Sequence, residues 1–328
     1  MSQTQSLSAQ VSADLLYIGN TGTNSITVYH HDAAGNTKPL YVISGSKTGI
    51  RAPGQLSEDA QGNLYVANGS WTQPSANPAI LVFAHGANGN VLPIRTISGL
   101  ATGIHNVNAM TVDKVTGKIF VVDSVPGNGF AYVRLLRFAP NASGNATPLA
   151  RSASGLLPAL QLASDSTGHN LIEAHFANSA NSVGFGVETF AKQFASNTLP
   201  NELSDTGYFG VSGVAADATT KTYLVTSGTG IYRLAENTTG LGPSDPFGQT
   251  LNPAPLSVLT SDTCGSQLAL PPGPTPNTYV THSVALGGCT ADAVYVYTHD
   301  AAGAAAPLRV LSGLATGLSA PYGIYEGK

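Results

Sequence analysis

The chain is poor in charge. Asp, Glu, Lys and Arg make up only 10% of its 328 residues, and the formal net charge is −4. A soluble domain ordinarily carries about a quarter of its residues as charges. Helical bundles cover their surfaces with Lys, Glu and Arg, so this composition argues against one. Weak net charge also removes any electrostatic basis for binding nucleic acid or anionic lipid. No stretch approaches the roughly 18 uninterrupted apolar residues of a membrane-spanning helix. Cysteine is down to two residues and tryptophan to one. Apolar residues, by contrast, reach 42%, which is too many for a disordered chain of such small charge. Glycine (37) and proline (20) are plentiful, as a protein with many tight turns requires.

What the chain does have is repetition, at a period of about 53 residues. One signature joins an apolar pair, an Asp, a Gly or Asn turn and a β-rich run. Its copies are QLSEDAQGNLYVAN (55–68), AMTVDKVTGKIFVVD (109–123), QLASDSTGHNLIEAH (161–175) and GVAADATTKTYLVTS (213–227). A second signature runs strand, Gly/Asn turn, Pro, strand and Ser-Gly. It occurs as ITVYHHDAAGNTKPLYVISG (26–45), ILVFAHGANGNVLPIRTISG (80–99), RLLRFAPNASGNATPLARSASG (134–155) and VYVYTHDAAGAAAPLRVLSG (294–313). Equivalent first-strand positions are Gln55, Ala109, Gln161, Gly213, Gln267 and Gly323, spaced by 54, 52, 52, 54 and 56. Six units of four short strands, repeated radially, predict an all-β, six-bladed β-propeller of antiparallel blades.

The ends predict how the ring closes. PYGIYEG (321–327) is a first-strand signature with nothing after it, and LLYIGN (15–20) is a second-strand signature with nothing before it. One blade shared by both termini supplies the missing partners. Residues 1–13 then read as a flexible tail and 14–328 as a single domain. The repeat resembles the NHL-type six-bladed propellers, on Pro53-Gly54, Asp59, Gly62-Asn63 and Leu64-Tyr65-Val66. That resemblance implies the fold and is neutral on function.

Topology sorts the residues into two faces. The repeated turns fall on one face, the bottom, and turn chemistry explains their sameness. Non-repeated loops fall on the other, the top, where specificity usually resides. Gln55, Gln161 and Gln267 recur every 106 residues, on alternate blades. They read either as a plug in the axial channel or as a polar floor for a neutral ligand, flanked by Asn108 and Tyr322. Trp71 and Tyr208 are candidate aromatic walls of a top pocket, and His282 a further top-face contact. A single tryptophan excludes a lectin with one stacking Trp per blade.

A six-bladed architecture also raises a weaker similarity to lactonases of the gluconolactonase and SMP-30 type. Those enzymes hold calcium at the channel mouth with acidic and Asn side chains. Of the matching positions only Asn108 fits, so no cofactor is expected, with calcium or zinc as the alternatives. If the protein is an enzyme, Glu173, His175, His105 and Asp123 are its candidate acid–base or zinc-binding groups. Five other histidines, His30, His31, His85, His169 and His299, map to bottom loops and read as solvated. Cys264 and Cys289 both fall on the top face of the sixth blade, so a disulfide between them is expected in an exported protein.

The first expectation for function is therefore an exported, non-catalytic propeller, extracellular or periplasmic. Its partner would be a neutral small molecule, a glycan or a protein surface. The alternatives are a metal-assisted hydrolase or lyase of the lactonase kind, and a structural subunit that assembles through the N-terminal tail.

Overall fold

The computed structural model describes residues 14–69, 77–124, 133–154, 159–165, 168–179, 182–198, 202–205, 211–236, 254–271 and 276–327. It is a six-bladed β-propeller, as the repeat predicts. Six sheets of four strands each follow one another. Blade one joins β24 (Pro321–Gly327) to β1 (Leu15–Asn20), β2 (Ser25–His30) and β3 (Tyr41–Ile43). Blade two runs from β4 (Pro53–Glu58) through β5 (Leu64–Asn68) and β6 (Ala79–Phe83) to β7 (Arg95–Ile97). Blade three has β8 (Val107–Val112), β9 (Ile119–Ser124), β10 (Val133–Phe138) and β11 (Ala150–Arg151). Blade four has β12 (Ala159–Ser164), β13 (Asn170–Ser179), β14 (Ser182–Ala191) and β15 (Glu202–Asp205). Blade five has β16 (Gly213–Asp217), β17 (Thr222–Ser227), β18 (Gly230–Ala235) and β19 (Ser257–Leu259). Blade six has β20 (Gly265–Ala269), β21 (Thr278–His282), β22 (Ala293–Tyr297) and β23 (Arg309–Ser312).

Closure is as the termini predict. β1 and β24 pair antiparallel, Leu15 opposite Gly327 and Ile18 opposite Ile324. The hydrophobic core is divided among the gaps between blades. Tyr65, Val82 and Ile97 of blade two meet Met110, Val121 and Leu136 of blade three. Phe120, Val122 and Leu135, on the opposite face of blade three, meet Leu162, Leu171 and Phe190 of blade four. Consecutive residues of one strand therefore enter different cores. Both faces are buried, so the strands read as near-continuous apolar runs.

The bottom turns do more than reverse the chain. Asp59 Oδ1 accepts from the backbone amides of Gln61 and Asn63 at 3.0 and 2.9 Å. Asp217 Oδ1 does the same for Thr219 and Thr220 at 3.0 and 3.2 Å. The Gly-Asn turns between third and fourth strands reach across to the preceding blade. Asn36, Asn90 and Asn145 use Oδ1 to accept the amides of Ala315, Lys47 and Ala101, each at 2.7–2.8 Å. Backbone bridges Gly35–Leu311, Gly89–Ile43 and Gly144–Ile97 accompany them. Each asparagine fits because the facing residue is Gly313, Gly45 or Gly99, at φ of 118°, 115° and 117°. A Cβ at any of the three would lie 2.5–2.6 Å from the asparagine Oδ1. The Ser-Gly and Gly-Asn signatures are thus two halves of one clasp between blades.

Candidate functional site

The axial channel is closed by its own inner strands. Gln55, from blade two, gives Nε2–H to the carbonyl of Leu162 in blade four at 2.5 Å. Its Oε1 accepts the amides of Leu162 (2.9 Å) and Met110 (3.1 Å). Gln161 repeats this on Leu268 (2.7 and 3.0 Å) and Val214 (3.1 Å). Each glutamine amide so occupies the place of a strand partner, tying its own blade to the next two. Gln267 breaks the pattern: its Nε2 donates to Leu160 at 3.0 Å, and its buried Oε1 has no hydrogen-bond partner among the described residues. Tyr322 reaches across the axis from blade one to the Leu160 carbonyl of blade four, 3.5 Å from its Oη. Burial pushes that phenol up to about 12.

A polar cluster sits on the top rim of blade three. Asp123, at the end of β9, is fully buried, and its Oδ1 accepts the backbone amides of His105 (2.6 Å) and Asn106 (2.8 Å). Asn20 and Asn68 hold the corresponding corners of blades one and two, accepting the amides of Ser319 (3.0 Å) and Arg51 (2.7 Å). Asp123 differs from them in its second oxygen. Oδ2 faces Nδ1 of His105 at 3.1 Å and Nε of Arg134 at 3.7 Å. A carboxylate only accepts, so the Asp123 contact favours the tautomer with its hydrogen on Nδ1. The His105 side chain is 41% exposed. It is a partly exposed imidazole held on a buried carboxylate. Arg134 Nη2 also approaches His105 Nδ1 at 3.3 Å. Beneath them, Asn108 Oδ1 accepts from Ser124 Oγ (3.0 Å) and Asn106 Nδ2 (3.2 Å). Asn108 Nδ2 is a buried donor without a hydrogen-bond acceptor among the described residues.

Of the residues singled out from sequence, the fold thus brings His105 and Asp123 together. His175 and Glu173 are placed by backbone alone, opposite Ala159 and Leu162; their side chains, like Trp71 and Tyr208, lie outside the described residues. His282 is buried against Cys264, which is bonded to Cys289 across 5.7 Å between Cα atoms. Among the five bottom histidines, His299 corrects the solvated reading. It is 9% exposed and its Nε2 lies 2.6 Å from Asp217 Oδ2, between blades five and six. Arg134 and Asn106 carry no sequence signal beyond their positions at strand starts.

The calcium centre implied by the lactonase resemblance does not fit. Calcium takes six to eight oxygens, usually with carboxylates among them. One step above the glutamines, the inner strands and their entry loop present Gly54, Asn108, Leu160, Ser212, Ser266 and Tyr322, and the only side-chain carbonyl there is already hydrogen-bonded.

No family model matches the chain, and no curated protein does. Solved structures do. The periplasmic gluconolactonase of Pseudomonas aeruginosa aligns with a TM-score of 0.59 at 13% identity, over 96% of this chain and 99% of that one. A putative 6-phosphogluconolactonase from Bacteroides fragilis NCTC 9343 aligns at 0.60 and 11%, over 98% and 99%. At such identities the likeness is one of fold. It nonetheless overturns the first functional expectation. Both neighbours are named as lactonases, against the non-catalytic binder first expected.

Proposed function

We propose that the protein is a hydrolase of lactones or related esters, acting from the top rim of blade three. The observation that carries this reading is the His105–Asp123 pair, a partly exposed imidazole held by a buried carboxylate. Asp123 fixes the tautomer and stabilises the imidazolium that forms. His105 Nε2 takes the proton of a water as that water attacks the substrate carbonyl. Arg134 limits the build-up of negative charge around Asp123. The lactonase names of the structural neighbours support the reaction class. The Cys264–Cys289 bond supports an oxidising compartment, periplasmic or extracellular.

The test is a panel of aldonolactones and aryl esters, assayed with and without added calcium. Wild type should turn over at least one of them, and His105→Ala should lower kcat by about 10²–10⁴-fold. Failure of wild type on the whole panel, or full activity in His105→Ala, would remove the proposal.

A further inference from the structure

A second cluster lies at the upper end of blade six, away from the rim of blade three. Cys264 precedes β20, and Cys289 follows the single-turn helix α1 (Val284–Gly287). His282, the last residue of β21, packs against the Cys264 sulfur. Its ring stacks on Tyr295 with centroids 3.9 Å apart and planes at 16°. Its Nε2 faces Asp262 Oδ2 at 2.9 Å, and its Nδ1 faces Cys264 Sγ at 3.4 Å. Asp262 and His282 are 2% and 5% exposed. The carboxylate can only accept, so the ring hydrogen is on Nε2 and the Nδ1 lone pair points at sulfur. A disulfide sulfur carries no proton, so it gives that buried lone pair nothing to accept.

Breaking the disulfide supplies what is missing. The ligand atoms of Cys264, His282 and Cys289 all lie within 4.8 Å of one another. Two thiolates and one imidazole suit zinc, with a fourth position left for water. A carboxylate on the far nitrogen of a ligating histidine fixes its tautomer and raises its basicity, and Asp262 already stands there. We propose that reduction converts this disulfide corner into a zinc(II) site, with Cys264, Cys289 and His282 as ligands and Asp262 orienting the imidazole. The two electrons come from an external thiol couple. Two R–SH become R–S–S–R, the S–S bond opens to two cysteine thiols, and each thiol releases its proton as it binds the ion. The ion then joins the segments that the disulfide joined. This inference is independent of the lactonase reading.

The experiment uses the full chain, reduced with a phosphine under anaerobic conditions, freed of reductant and titrated with cobalt(II) and then zinc(II). Reduced wild type should bind one equivalent of cobalt, with a thiolate-to-cobalt charge-transfer band that zinc abolishes; oxidised protein should show no such band. Asp262→Asn, which keeps the packing, should weaken zinc binding about 10–100-fold, and His282→Ala should weaken it further. Should reduction loosen the fold, zinc and not magnesium should restore the melting temperature of the oxidised protein. Absence of the band in reduced wild type, equal affinity in His282→Ala, or failure of zinc to restore a loosened fold would each overturn the proposal.

Discussion

Two interfaces between neighbouring blades solve one problem in different chemistry. Between blades one and two, Asn90 clasps the Lys47 amide against Gly45, with no charged group in the clasp. Between blades five and six the same turn reads Gly303-Ala304, and the facing residue is Ser261. The backbone bridge Gly303–Leu259 persists, but no asparagine follows it. Charge takes over the fastening. Asp217 Oδ2 meets Arg233 Nη1 at 2.7 Å and His299 Nε2 at 2.6 Å, and Arg233 Nη2 donates to the His299 carbonyl at 2.7 Å. Burial pushes the Asp217 carboxyl up, but hydrogen bonds from Thr220, Arg233 and His299 outweigh it and hold the group well below the usual carboxylate range. Glycine and asparagine vary together because the amide needs the space that a missing Cβ leaves. Where that pair is lost, an ionic network provides the connection, and with it a dependence on pH.

Breaking the ionic interface should cause the largest loss. Asp217→Ala leaves the largely buried Arg233 guanidinium without its carboxylate and uncaps a turn, at about 3 kcal/mol of stability in a denaturant titration. The folded pKa of Asp217 is depressed, so its contribution is present above the usual carboxylate range and is lost as pH falls through it. The Asp217→Ala variant should therefore lose less stability than wild type on acidification below about pH 4, a comparison that denaturation curves at several pH values would settle. The asparagine clasps should show no such dependence.

Glu326, on the closing strand β24, shifts the opposite way. Burial, with Asp14 adding to it and Arg309 opposing, pushes its carboxyl up to about 7. A raised acid pKa means the fold prefers the neutral form, so stability declines as pH rises from the ordinary glutamate range through about 7. Glu326→Gln should be near neutral at pH 5 and should stabilise the protein by about 3 kcal/mol at pH 8, read from the same titrations. The smallest effects belong to the neutral clasp. Gly99→Ala should cost about 2 kcal/mol for its positive φ and the collision with Asn145, and Asn145→Ala about 1 kcal/mol for the lost acceptor. In the double variant the collision disappears, so the combined loss should fall short of the sum; strict additivity would show that the two residues do not act as a unit.

The architecture was legible because a propeller writes its period into the chain. Six first-strand positions, two orphan end strands and near-continuous apolar runs leave little freedom in the fold. The cysteine pair was legible from topology, and His105 with Asp123 from their place on adjoining top corners. Contacts between repeats were not. The Gly-Asn turns read as local turn chemistry, since nothing in a single repeat says that the asparagine serves the neighbouring blade. His299 read as a surface loop residue because its partner Asp217 lies 82 positions away. The functional ranking failed for a related reason: missing carboxylates at the inner-strand starts argue against a calcium enzyme, not against every enzyme.

The seam in blade one has a use of its own. Because Leu15 sits opposite Gly327 in an antiparallel pair, a two-residue hairpin linker suffices to fuse the strands on either side of the seam. New ends can then be opened in any exposed connection between blades. A circularly permuted version should fold to the same ring, with its weakest edge moved to a blade of the experimenter's choosing.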